Sequence, residues 1–263
     1  MTLDVLISCM YQEDFSIVQK SHLSSGAVIV NQCDISSERT DTTTLVVDNQ
    51  AYSISMISTP QRGLSRSRNM AIYHSKADIC MLSDDDEIYA DNYTENILQA
   101  FQDYPHADVI LFNVENAHRV FPVQPMSVGY LRALRFCSLQ IVFRRNSIIE
   151  KGVLFDEMMG SGTGNGSGEE NKFLFDCLKQ GLKLQYVPIT IATVVSGSDS
   201  QWFSGYTDKF FFDKGWATAR YMGKIFATLY VTSYAIRKYP IYYKENTLLN
   251  AYKKMLNGVF SKK

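Results

Sequence analysis

Histidine and cysteine, the usual ligands of transition metals, are scarce in this chain and not spaced for that work. The four histidines, His22, His74, His106 and His118, show no metal-ligand spacing and no triad, and read as ordinary surface or core residues. The five cysteines are odd in number and scattered, with no C-x-x-C pair, which argues against a zinc site and a disulfide framework and fits a reducing cytoplasm. No stretch reaches the roughly 18 apolar residues that span a bilayer. The N-terminus lacks a basic segment followed by a long apolar core, so no signal peptide is expected. A net charge of −1 gives no overall pull toward nucleic acid. Nowhere does G-x-x-x-x-G-K, G-x-G-x-x-G or G-x-S-x-G occur, and there is no internal repeat. What remains is a chain of 263 residues, 46% hydrophobic and 20% charged, able to build a sizeable core.

The stretch that stands out is 77–92, A-D-I-C-M-L-S-D-D-D-E-I-Y-A-D-N. A short apolar run, Ile79 to Leu82, suits a strand buried on both faces. It runs into Asp84, Asp85 and Asp86, three like charges that cannot be buried without a counter-ion. Asp91 is then placed to cap a helix carrying Tyr93, Ile97 and Phe101 on one face. The carboxylates are thus expected in a strand-to-helix loop, where open α/β sheets bind ligands. Their oxygens suit a hard cation completed by phosphate. A solvated acidic turn is the plain alternative.

Around it, strands are expected at Val5 to Cys9, Ala27 to Val30, Val109 to Phe112 and Ile141 to Phe143, and a hairpin at Leu45 to Val47 and Tyr52 to Ile57 around Asp48-Asn49. Helical stretches fall at Ser16 to His22 and Arg66 to Lys76, with Pro60 and Gly63 breaking the chain between. Alternating strands and helices point to an α/β fold with a mostly parallel sheet. Farther on, five glycines alternate with small polar residues in a segment expected to be flexible. It ends in Glu169-Glu170, which open a helix with Phe173 and Cys177 on its apolar face and Gly181 at its end. Stabilisation by the helix dipole explains two carboxylates in a first turn. The rival reading is a mobile loop that presents them to a substrate.

Three stretches together resemble the family-2 glycosyltransferases of GT-A fold, of the kind used in bacterial surface polysaccharide synthesis. They are V-L-I-S-C-M-Y-Q-E-D, then R-G-L-S-R-S-R-N-M-A-I followed by the strand into D-D-D, then G-S-G-E-E-N-K-F-L-F-D-C-L-K-Q-G-L-K-L-Q-Y-V-P. The resemblance covers roughly residues 1–195 and implies an inverting, metal-dependent transfer of a sugar from a nucleoside diphosphate sugar to a hydroxyl of a glycan or lipid-linked glycan. It implies that Asp86, with Asp84, holds Mg²⁺ or Mn²⁺, and that Asp84 or Asp85 contacts the ribose or the metal's water shell. Glu170 is implied as the catalytic base, with Glu169 beside it in support or on the acceptor. Arg68 reaches the nucleotide or anchors the acidic loop. Ser8, Met10 and Tyr11 line the base and ribose. Where the family often has Asp-Asp, this chain has Asn31-Gln32, with Asp34 slightly later, so Gln32 and Asp34 take the nucleotide side; amides pair with donors and acceptors alike. The base is Glu where the family usually has Asp, and no histidine follows the acidic helix as a further metal ligand.

The chemistry is coherent by itself. A leaving diphosphate needs its charge neutralised, the acceptor hydroxyl needs a positioned base, and a carboxylate of ordinary pKa is ionised at neutral pH. A sugar nucleotidyltransferase is the first rival, but its Gly-rich phosphate loop near the N-terminus is missing. A non-catalytic sugar- or protein-binding module is the second.

Charge is uneven. From Gln201 onward there are eleven Lys/Arg against three Asp/Glu, while the first 200 residues hold fifteen against twenty-four. The same tail carries 16 of the 33 aromatic residues. The resemblance implies that residues 1–195 are the GT-A nucleotide-sugar-binding and catalytic domain, which leaves 196–263 as a helical, aromatic and basic extension. Within it Lys224 to Lys238 reads as a helix with Phe226, Leu229, Tyr230 and Ile236 near one face. That helix packs on the core or on a second copy of the chain, or, through 202–260, lies on the anionic inner face of the cell membrane. Trp202, Phe203 and Trp216 are alternatively placed to stack on acceptor sugar rings.

Overall fold

The computed structural model describes residues 1–115, 121–166, 168–195, 203 and 205–262. His118 and Trp202 lie outside the described residues. In chain order the elements are β1 (Leu3–Met10), α1 (Ser16–Lys20), β2 (Gly26–Gln32), β3 (Arg39–Val47), β4 (Gln50–Thr59), α2 (Leu64–His74), β5 (Ile79–Asp84), β6 (Glu87–Tyr89), α3 (Tyr93–Asp103) and β7 (Val109–Glu115). There follow β8 (Met126–Ser127), α4 (Tyr130–Ala133), a 3-10 turn (Ser138–Gln140), β9 (Ile141–Arg144), α5 (Arg145–Glu150), α6 (Glu169–Lys179), β10 (Leu184–Val194), α7 (Asp208–Met222), α8 (Lys224–Tyr242) and α9 (Leu248–Val259).

The strands form one sheet in the order β3-β4-β2-β1-β5-β9-β7-β10-β6, with β8 beside β10. Its first half, β4-β2-β1-β5, is parallel, as the apolar runs of β1, β2 and β5 anticipate. The other half is mixed: β9 runs antiparallel to both β5 and β7, and β6 antiparallel to β10. Parallel pairing, as expected, joins β4-β2-β1-β5 and β7 with β10; the sheet as a whole is mixed because β9 enters between β5 and β7 in the opposite direction and β3, β6 and β8 pair antiparallel at its edges.

The chain steps from β1 to β2 and β4 on one side, then returns to β5 on the other side of β1. This makes a switch point at the carboxyl ends of β1 and β5, where ligands of open α/β sheets bind. The hairpin β3–β4 turns at Asp48 and Asn49, both with positive φ (49° and 64°), as a tight two-residue hairpin turn requires.

Two details around the aspartates differ from expectation. The triplet joins a strand to a strand, since β6 begins at Glu87 and is held by β10. The cap of α3 is Asn92, in the left-handed region at φ 58°, and not Asp91. Asn tolerates that conformation better than most residues.

Apolar side chains pack on both faces of the sheet. One face carries Leu6, Leu82, Phe143 and Phe173, the other Ile7, Met81, Ile110 and Tyr93. Helices α7 to α9 build a third cluster around Phe211, Val231, Tyr242 and Met255. Gly215 of α7 and Gly258 of α9 let these two helices touch: a Cβ on Gly215 would lie 1.9 Å from the Met255 carbonyl oxygen. Trp216, Ala217 and Tyr221 of α7 reach back into the first cluster, so α7 packs on the sheet-bearing part of the chain.

Candidate active site

The site forms where β1, β2 and β5 end. Parallel register sets Ser8 beside Asp84 and Met10 beside Gln32. Ser8 is buried and its hydroxyl accepts from Ser67 of α2 at 2.9 Å, so it ties β1 to α2. Met10 and Tyr11 are exposed just past it, Tyr11 at a positive φ of 54°. Asn31 accepts from Gln12 N at 2.9 Å and donates to Gln12 O at 2.7 Å, fixing the loop after β1. The Gln32 amide oxygen accepts from Gly63 N at 2.8 Å and so holds the entry to α2.

Asp34 is exposed, pairs with Arg62 and accepts from the Tyr11 hydroxyl at 3.2 Å. Arg62 also lies over the Tyr11 ring, 5.6 Å from its centre. Tyr11, Asp34 and Arg62 thus form a charged, aromatic cluster just past the ends of β1 and β2. Arg62 opens the R-G-L-S motif, but nothing in that motif shows that it meets Asp34, 28 positions earlier.

Arg68 is the centre of the arrangement. It is 1% exposed. One guanidinium nitrogen donates to Glu169 at 3.1 Å, and the other to Asp84 at 3.1 Å and Ser138 at 2.8 Å. Phe155 lies beneath the guanidinium, 5.5 Å from its carbon to the ring centre. Arg68 thereby joins Asp84 of the triplet to Glu169 of the acidic pair, 101 positions away.

Neighbouring Asn69 bonds the Phe155 backbone at both ends, Nδ2 to O at 2.9 Å and Oδ1 from N at 2.8 Å. Phe155 in turn stacks on Phe173 of α6, centres 4.4 Å apart. This relay fixes the first turn of α6 and hence both glutamates.

The Gly-rich segment is laid against α2 and not left as a loose linker. Ser161 O accepts from Leu64 N at 3.0 Å, and Met159 O from the Ser65 hydroxyl at 2.7 Å. Gly160 needs to be glycine twice over: its φ is 93°, and a Cβ there would sit 3.1 Å from the Glu169 carboxyl carbon.

Glu169 is buried, its second oxygen accepting from Gly168 N at 3.0 Å. Glu170 is partly exposed and accepts from Asn171 Nδ2 at 2.9 Å. Desolvation, and then the charge of Glu169, push the Glu170 carboxyl up to about 8. This corrects the expectation of an ordinary carboxylate ionised at neutral pH. Burial also raises Asp84, against the pull of Arg68, and raises Asp85. Glu87, buried behind the triplet, is held well above the usual carboxylate range by desolvation.

Three buried side-chain atoms lack a hydrogen bond among the described residues: Arg68 Nε, Glu87 Oε1 and Asn171 Oδ1. All three belong to this site. Unsatisfied buried polarity is rare in native proteins and calls for an explanation such as a catalytic role.

The fit of a cation rests on Asp84 and Asp86. Both are partly exposed at the end of β5, and both offer the hard oxygens that Mg²⁺ and Mn²⁺ take. No three such side chains converge on one point among the described residues. The donor set therefore fits a cation that draws its remaining ligands from phosphate and water, as Mg²⁺ commonly does. His22, His74 and His106 are exposed and none is part of this site.

Residues 34–148 match the family model for Glycosyl transferase family 2. The matched segment contains Asp34, Arg68 and the Asp triplet, and ends before Glu169. No curated protein sequence matches the chain. Among solved structures, S. aureus TarS 1–349 in complex with UDP-GlcNAc superposes with a TM-score of 0.63 at 15% identity, covering 98% of this chain and 82% of that one. TarS 1–349 in complex with UDP gives 0.57 at 13%, covering 93% and 74%. A longer TarS chain gives 0.58 at 12%, covering 91% of this chain and 44% of that one. At these identities the likeness speaks to the fold, which is GT-A.

Proposed function

We propose that this chain, a family-2 glycosyltransferase on a GT-A fold, moves a sugar from a nucleoside diphosphate sugar to an acceptor hydroxyl with inversion, in polysaccharide or glycoconjugate assembly. The observation that carries the reading is the Arg68 bridge. It ties Glu169, the chain neighbour of Glu170, to Asp84 at the end of β5, which supports Glu170, a partly exposed carboxyl of raised pKa, as the base.

In this reading Tyr11, Met10, Asp34 and Arg62 hold the nucleoside, and Asp84 and Asp85 take the ribose side. A UDP-sugar is the first donor to try, because TarS was solved with UDP-GlcNAc. Asp86 and Asp84 would hold a divalent cation, which supplies neutralisation of the leaving diphosphate. The Glu170 carboxylate accepts the proton of the acceptor hydroxyl as that oxygen bonds to the anomeric carbon. The bond from carbon to diphosphate oxygen breaks on the opposite face, and the diphosphate keeps the electron pair. Glu169 and Asn171 position Glu170 without touching the reacting atoms.

Calorimetric titration with UDP, GDP, CMP and dTDP, each with Mn²⁺ and with chelator, tests the donor side. Metal-dependent binding of one nucleoside diphosphate supports the reading. Folded protein that binds none of them points to the binding module instead. Pyrophosphate release from a nucleoside triphosphate and a sugar phosphate points to the nucleotidyltransferase.

A further inference from the structure

We infer that the outer face of α8 is a docking surface for an anionic lipid bilayer. α8 turns a narrow stripe inward, Ala227, Val231, Ala235 and Tyr242, all buried. Its larger apolar side chains face out: Ile225 is 78% exposed, Phe226 67%, Leu229 64% and Ile236 62%. By the 3.6-residue repeat, Ile225, Leu229, Ile236 and Tyr243 fall within about 40° of one line along the helix. Nineteen residues make this stripe about 28 Å long. Tyr230, expected on this face, is half-buried and packs against the helical cluster instead. No helix among the described residues is long and apolar enough to cross a membrane, so the surface suits an interfacial helix and not a span.

Charge selects the occupant. The three acids of the extension are all engaged within the chain: Asp208 with Lys254, Asp213 with Lys209, and Glu245 accepting from Tyr206 N at 2.7 Å. Lys224, Arg237, Lys238 and Lys244 have no carboxylate partner among the described residues. At the two ends of the stripe, Lys224 lies over the exposed Phe260 ring and Lys244 over the exposed Tyr243 ring, each 6.0 Å from the ring centre. An exposed apolar stripe closed at each end by an aromatic–lysine pair matches the boundary between acyl chains and anionic headgroups. A second copy offered face to face would instead oppose two surfaces from an extension with a surplus of eight positive charges.

α7 links this surface to the chemistry. It packs on α8, and it holds the loop ahead of Glu170 through Lys209 Nζ to Gly164 O at 2.9 Å and Arg220 to Asp156 at 2.9 Å. A lipid-linked acceptor follows from this coupling only if the transferase reading holds. The bilayer contact itself stands apart from that reading.

The test is flotation of the full chain with phosphatidylglycerol-containing vesicles against pure phosphatidylcholine vesicles. The expected result is binding to the anionic vesicles alone. Leu229→Glu with Ile236→Glu abolishes it, and Lys224→Ser with Lys244→Ser weakens it by at least tenfold, since each basic residue near the surface is worth about fivefold. Both variants change exposed residues and keep the melting temperature and nucleotide binding of the parent. Folded protein that ignores anionic vesicles, or a Leu229→Glu, Ile236→Glu variant that binds as well as the parent, overturns the inference. So does a dimer in sedimentation equilibrium that this variant dissociates, because a second copy then covers the face.

Discussion

Arg68 and Glu169 meet at 3.1 Å, both shielded from solvent: the guanidinium side chain is 1% exposed and the carboxylate 7%. The same guanidinium reaches Asp84 with its other nitrogen, so two acidic clusters far apart in the chain share one cation. Removing one partner of a buried pair leaves the other charged and unpaired, at a cost of about 3–5 kcal/mol. Arg68→Met is therefore expected to lower the urea midpoint steeply. Arg68→Lys does not rescue it, because a single ammonium cannot copy a planar fork with two ends. Wild-type stability in Arg68→Lys contradicts the bridge.

Asn69 acts one step back. Asn69→Ala strips both hydrogen bonds from the buried Phe155 backbone, at about 1–3 kcal/mol for each group left unsatisfied. Because Phe155 stacks on Phe173, turnover is expected to fall together with stability, even though Asn69 touches no substrate. Urea unfolding and single-turnover rates on the same preparation check the two effects together.

The raised pKa of Glu170 sets a sign for pH dependence. A base works deprotonated, so kcat/KM is expected to climb about tenfold per pH unit below the pKa and level off above about 8. An ordinary glutamate, near 4.3, gives a flat profile across neutral pH. The profile of kcat/KM from pH 5 to about 9 distinguishes the two. For stability the sign is opposite. A carboxyl raised by folding contributes stability that is present below its unfolded pKa and lost as pH rises toward 8.

The contact between α7 and α9 depends on two glycines. Gly215→Ala drives a methyl into the Met255 carbonyl, and Gly258→Ala places one 2.0 Å from the Phe212 carbonyl oxygen. Each is expected to cost about 2–3 kcal/mol. The near-ultraviolet circular dichroism of the aromatic cluster around Phe211 and Tyr242 reads the loss.

The strands β1, β2 and β5, the β3–β4 hairpin and the helix after Glu169 were legible because each is written locally, as an apolar run, a pair of turn-forming residues or a periodic face. The aspartates stood out as candidates because charge at the end of a buried run is unusual, and the glutamates because they open a helix after a Gly-rich segment. Less legible was everything set by distant contacts. β6 is a three-residue strand that exists because β10 pairs with it. Arg62 meets Asp34 only through the fold. The sequence leaves Arg68 between the nucleotide and the acidic loop, and does not show that Phe155 and the 3-10 turn close around it. The basicity of Glu170 comes from burial and from Glu169, and a one-dimensional motif reports neither distance nor solvent. The outward face of α8 was half legible, its residue types but not the direction in which Tyr230 points.

The account rests most on Glu170 as the base of a sugar transfer. The direct measurement is release of nucleoside diphosphate from UDP-, GDP- and dTDP-sugars with Mn²⁺, by wild type and by Glu170→Gln. The account predicts turnover of one donor class, lost by about 10²–10⁴-fold in Glu170→Gln while nucleotide affinity and melting temperature stay near wild type. Equal turnover by both proteins, or none from any donor by properly folded wild type, would contradict it.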